Sequence, residues 1–170
     1  KPFSGQELLT KVRAQINLNQ SRRQIEIRLR NLVQQAPVAM LLVKGEQLTI
    51  ELINQTMLSL IQREDVMIGQ PLLEVLPELK GHDFVERCQN VYQTGEPDQA
   101  YALEIPLLKN GKLEHRYFNI LLTPYFEGNR QTGVLEVCTE VTEIVLIHRA
   151  LQASEARYRD LSNELDEQVQ

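Results

Sequence analysis

The side chains best suited to chemistry in this 170-residue chain are three histidines, His82, His115 and His148, and two cysteines, Cys88 and Cys138. Their spacing builds no site. The histidines fall on a loop, a strand and a helix, without the separations by which two imidazoles share a metal. The cysteines are too few for a disulfide framework and lack zinc spacing, so reduced thiols and a cytoplasmic location are expected. The chain has no Gly-rich phosphate loop, no His-Glu metal motif and no nucleophile elbow. The expectation is therefore no catalytic residue, no metal and no enzyme.

Composition narrows the class further. A hydrophobic content of 42% supports a packed core, and with 5% aromatics and no Trp that core is mainly aliphatic. A net charge of −5 argues against a nucleic-acid partner. Arg22-Arg23 reads as a solvated helix face. No apolar run of about 18 residues is present, so no membrane insertion is expected, and no signal peptide is visible. The sequence starts at Lys1 without Met and stops within a helical pattern at Gln170, as a piece of a longer protein would.

The stretch that organises the rest is 101–142. Tyr101 to Ile105 reads as a strand, and Asn110-Gly111 as a type I′ hairpin turn, which needs positive φ at both positions. The return strand runs from about Leu113 to Tyr125. This register sets Leu103 opposite Phe118, Tyr101 opposite Ile120 and Ile105 opposite Arg116. One face then collects Tyr101, Leu103, Ile105, Phe118, Ile120 and Leu122, and the other Ala102, Glu104, Tyr117 and Asn119. Pro106 cannot donate to a ladder, which puts the first strand at a sheet edge. After a turn at Glu127-Gly128-Asn129, Gly133 to Val141 forms a third strand, with Leu135, Val137 and Val141 expected on the apolar face. Beyond Glu140-Val141-Thr142 the period becomes helical to the end of the chain.

Upstream, residues 5–18 carry the helical stripe Leu8, Leu9, Val12 and Ile16. Asn17-Leu18-Asn19-Gln20 interrupts it, and Ser21 with Gln24 forms a capping-box pattern. Either two helices meet near 17–21, or one runs from about 5 to about 34. Pro37 ends the helix. Pro37 to Val43 reads as a central strand, Gln47 to Leu52 as a half-buried one, and Asn54 as the cap of a short helix burying Met57, Leu58 and Ile61. Residues 83–93 form a helix with Phe84, Val85, Cys88, Val91 and Tyr92 inward, ended by Gly95-Glu96-Pro97.

The run Lys109-Asn110-Gly111-Lys112, Tyr117-Phe118-Asn119, Pro124, Gly133-Val134-Leu135 and Glu140-Val141-Thr142 resembles the C-terminal half of a PAS sensory domain. Ala36-Pro37-Val38-Ala39-Met40, Asn54 and Gly69 to Pro77 extend the resemblance over roughly 21–142. It implies an α+β fold: a PAS-like five-stranded antiparallel sheet with short helices on one face and long N- and C-terminal helices. The expected parts are a flanking linker helix (1–35), a PAS-like sensory domain (36–142) and a coiled-coil-like signalling helix (143–170). Arg28-Leu29-Arg30-Asn31-Leu32 is echoed by Arg157-Tyr158-Arg159-Asp160-Leu161, as linkers around tandem sensor domains are.

By the same resemblance, the expected function is sensing and signal relay in a bacterial two-component protein, such as a sensor histidine kinase in a phosphorelay, with an effector domain downstream in the same chain. The pocket lining implied is Leu42, Met57, Leu72, Leu76, Phe84, Cys88, Leu103, Phe118, Ile120 and Val137, with Asn119 reaching a ligand only if the register is bulged. Glu140 and Thr142 are the expected relay residues. Glu140 is one methylene longer than the family's usual Asp, which shifts the bond made there. Haem is disfavoured because His82 precedes the long helix instead of lying on it. Flavin is disfavoured because Cys88 sits in Glu86-Arg87-Cys88-Gln89-Asn90, unlike the family's reactive Asn-Cys-Arg-Phe-Leu. No cofactor is expected. Ile144, Ile147, Leu151, Tyr158, Leu161 and Leu165, interrupted by Ser154 and Gln168, follow heptad spacing and predict a parallel homodimer. The alternative is a ligand-free dimerisation module that spaces neighbouring domains; an aliphatic lining lacking polar groups fits it.

Overall fold

The computed structural model describes residues 5–63, 68–109 and 111–169, and the side chains of these up to residue 164. Asn110 of the expected turn and the side chains of Leu165 and Gln168 lie outside that set. The order is α1 (Gly5–Gln34), β1 (Ala39–Lys44), β2 (Thr49–Ile53), α2 (Gln55–Ile61), α3 (Leu72–Val75), a 3-10 turn (Pro77–Leu79), α4 (Asp83–Thr94), β3 (Asp98–Lys109), β4 (Lys112–Glu127), β5 (Arg130–Glu140) and α5 (Thr142–Val169).

The five strands form one antiparallel sheet in the order β2-β1-β5-β4-β3. β3, with Pro106, is at the edge as the sequence predicts, and β5 is central, paired with β1 and β4. One face of the sheet carries Leu41, Ile50, Phe118, Ile120, Leu122 and Val134 into a core closed by α2, α3 and α4. Gly133 is required by close approach, not by an unusual φ. A Cβ there would run into the Val43 carbonyl oxygen of β1, which pairs beside it.

α1 is one continuous helix. Asn17 and Asn19 are poor helix formers, but Leu18 and Gln20 are good ones and no Pro or Gly interrupts the run, so Ser21 sits inside the helix instead of capping a new one. None of its residues is buried. Its end is tied down by Asn54, which is 0% exposed. Asn54 caps α2 by accepting from the Met57 N–H at 2.9 Å and also accepts from the Met40 N–H at 3.0 Å. It donates to the carbonyls of Val33 (3.2 Å) and Val38 (2.8 Å). Gln34 to the Ile53 carbonyl and Thr56 to the Ala36 carbonyl complete the joint.

Two sequence expectations need correction. The hairpin register holds from Lys109↔Lys112 to Leu103↔Phe118 and then shifts: Ala100, not Tyr101, faces Ile120. Tyr101 and Ala102 together oppose the single residue Asn119, so β3 carries one extra residue; Ala102 adopts φ 49° and Tyr101 is 72% exposed. The second concerns β5, where Val134, Glu136 and Cys138 face the core while Leu135 and Val137 face the other side of the sheet.

Candidate functional site

The β5 correction decides what lines the cavity. Between sheet and helices lies a cavity of about 40 Å³, walled by Leu41, Ile50, Ile53, Met57, Leu60, Ile61, Leu72, Val75, Leu76, Leu79, Phe84, Ile105, Leu107, Phe118, Glu136 and Cys138. The structure thus brings Met57, Leu72, Leu76, Phe84 and Phe118 of the expected lining together. Cys88 and Ile120 are buried in the same core without lining the cavity, and Leu103 packs at its margin. Leu42 and Val137 belong to the opposite face; Leu41 and Glu136, paired across β1 and β5, stand in their place. Asn119 does not line this cavity: its side-chain oxygen accepts from the Ala102 N–H at 2.9 Å and pins the bulge.

Glu136 is the residue that sequence reasoning missed. It is 6% exposed, on the central strand between Leu41 and Leu122, in a wall otherwise apolar apart from the Cys138 thiol. Burial pushes its carboxyl up to about 7, opposed only in part by a hydrogen bond with Cys138. The Cys138 and Cys88 thiols are themselves pushed upward, first by burial and then by the Glu136 charge. Neither is a poised nucleophile, because the thiolate is what reacts.

The second feature is the joint where β5 becomes α5. The Val141 N–H donates to the Tyr117 carbonyl at 2.8 Å, and the Tyr117 N–H donates to Thr142 Oγ1 at 3.0 Å. The Thr142 hydroxyl donates to Glu140 Oε1 at 2.8 Å, while Arg116 Nη1 reaches Glu140 Oε2 at 3.3 Å and its Nη2 reaches Glu114 at 2.9 Å. About two turns further along α5, Arg149 donates to the Tyr117 hydroxyl at 2.7 Å, with its guanidinium 4.7 Å from the ring centre. That hydroxyl donates to Glu104 Oε2 at 2.9 Å, and Glu104 Oε1 pairs with His115 at 2.9 Å. Glu140 and Thr142 are therefore bonded to each other and to β4. On the other side of α5, Ile144, Ile147, Leu151, Tyr158 and Leu161 are exposed.

His82 does not sit loose on its loop. Its Nδ1 accepts from the Phe84 N–H at 3.1 Å as the cap of α4, and its Nε2 lies 2.9 Å from the Glu104 carbonyl. The neutral tautomer with hydrogen on Nε2 satisfies both contacts. Among the described residues, no group of three or more His, Cys, Asp or Glu side chains could hold a metal ion.

A profile of the PAS fold matches residues 33–145, about two thirds of the chain. The chain belongs to the PAS fold family. Solved PAS domains share the architecture. One from Colwellia psychrerythraea superposes with a TM-score of 0.54 at 16% identity, covering 70% of this chain and 98% of its own. The PAS domain of Bordetella pertussis BvgS gives 0.54 at 20% identity, with 79% and 98% covered. That of nitrogen regulation protein NR(II) from Vibrio parahaemolyticus gives 0.50 at 14% identity, with 66% and 96% covered. At these identities the likeness is one of fold. The matched stretch of this PAS domain ends inside α5, four residues after Val141, and so includes the joint.

Proposed function

We propose that this PAS domain is the sensing and relay module of a bacterial two-component signalling protein, a sensor histidine kinase in the first instance. It acts without catalysis of its own and passes a change in the sheet to its flanking helices. One observation carries the reading: β5 both walls the cavity, through Glu136 and Cys138, and runs into α5 after a single residue. A displacement of β5 must therefore reach the first turn of α5, through bonds that Glu140 and Thr142 make to β4. The side of α5 bonded to Tyr117 is opposite its heptad seam, which leaves the seam open to a second copy in parallel. An effector domain beyond α5 in the same chain receives the change. A cavity of about 40 Å³ supports the expectation of neither haem nor flavin, since drug-sized ligands occupy roughly 300–1,000 Å³. No helix of the described residues is long and apolar enough to cross a membrane.

The test is a spin label at Gln152→Cys, read as a distance between the two protomers. Thr142→Ala, which cuts the bond from the sheet, is expected to shift or broaden that distance with the domain still folded. An unchanged distance would mean that the joint does not set the position of α5.

A further inference from the structure

Glu136 has no task in the fold that an apolar residue would not do better. Among the described residues it pairs with no cation, and a buried carboxyl costs free energy that a leucine at the same place would not. We propose that the cavity is a binding site for a small primary ammonium ion, with the Glu136 carboxylate as its counterion. This deepens the relay reading by naming its input.

The walls decide the ligand class. An anion is repelled by the carboxylate. A metal ion needs several hard oxygen ligands, and here there is one carboxyl and one thiol. Glu136 and Cys138 give a lone water its minimum of two polar partners, but a water leaves the charge of an ionised carboxylate uncompensated. A hydrocarbon would leave the carboxyl unpartnered. A primary ammonium ion neutralises the carboxylate, hydrogen-bonds to it, and lays a short alkyl group against Met57, Leu76 and Phe84. Size sets the upper bound: 40 Å³ is roughly a quarter of the ~150 Å³ cavity that admits benzene, so the ion has only a few heavy atoms. The titratable groups around Glu136 are Cys138 on its own strand and Cys88 from α4; both stay protonated and compete for no charge.

The experiment follows the side-chain carboxyl carbon of Glu136 by ¹³C NMR, assigned by its loss in Glu136→Gln, during pH titrations with methylammonium, tetramethylammonium or sodium chloride. Methylammonium is expected to lower the titration midpoint by about one pH unit or more, saturably, as a cation within hydrogen-bond distance does. Tetramethylammonium, which has no N–H and is larger, should leave it in place, as should sodium. At pH 8 methylammonium should also raise the thermal midpoint of the wild type and not that of Glu136→Gln. A midpoint unmoved by methylammonium, or moved equally by all three salts, overturns the proposal. Because the readout is the carboxyl and not α5, ammonium binding and relay can fail independently.

Discussion

At Glu136 a charged residue occupies a position that strand alternation would give to an aliphatic one, and stability should record it. Its carboxyl titrates at about 7 in the folded protein against an ordinary value of 4.5. Between those pH values the folded state holds a proton that the unfolded state has released. Stability is therefore greatest below the ordinary value, falls as pH rises through the window, and levels off above about 7, a total of about 3 kcal/mol. Glu136→Gln should remove that slope and raise stability at pH 8, measured by urea unfolding from pH 4.5 to 8. Asn54 is the opposite case, a buried polar residue with every bond in use. Asn54→Ala should cost about 2–4 kcal/mol in the same assay. Asn54→Asp should keep the bonds accepted from Met40 and Met57 while losing those donated to Val33 and Val38. The sequence marked Asn54 as a helix cap, because cap chemistry is local. It did not mark Glu136: a central strand flanked by Val134, Leu135 and Val137 has apolar residues on both faces, and the charge read as the solvent side.

Among the elements, β5 is paired on both sides and β3 on one. Amide exchange should be slowest in 134–140 and faster in 98–106. Reversed protection would contradict the sheet order. Gly133→Ala should cost about 2 kcal/mol or more in urea unfolding, because the added methyl meets the Val43 carbonyl and β1 must move. The edge position of β3 was legible from Pro106, and the register near the turn from Asn110-Gly111. The bulge was not, because Tyr101-Ala102 contains no glycine or proline to announce it. What holds it is Asn119, distant in sequence. The same limit applies to Tyr117. Its place on the face opposite Phe118 followed from alternation, whereas its contact with Arg149 joins residues that only the fold brings together. The lining residues Met57, Leu72, Leu76 and Phe84 followed from the PAS resemblance; Met57, Leu72 and Phe84 lie on helices packed against the sheet, and Leu76 directly follows α3.

For the whole molecule, the relay proposed above has α5 carry the signal out as one helix of a parallel pair. At about 1.5 Å per residue its 28 residues span about 40 Å, and Thr142 and Arg149 in its first turns bond to Tyr117 of the sheet. Ile144, Ile147, Leu151, Tyr158 and Leu161 stay exposed along it, and Ser154 interrupts them where a seam would otherwise carry an apolar residue. A seam weakened in this way suits a pair that must rotate or slide when the sheet shifts. Sedimentation equilibrium on three proteins tests this most directly. The wild type should be a weak dimer, Ser154→Leu a tighter one, and Leu151→Glu with Leu161→Glu a folded monomer. A wild type that remains monomeric at high concentration, with Ser154→Leu no different, would contradict the account.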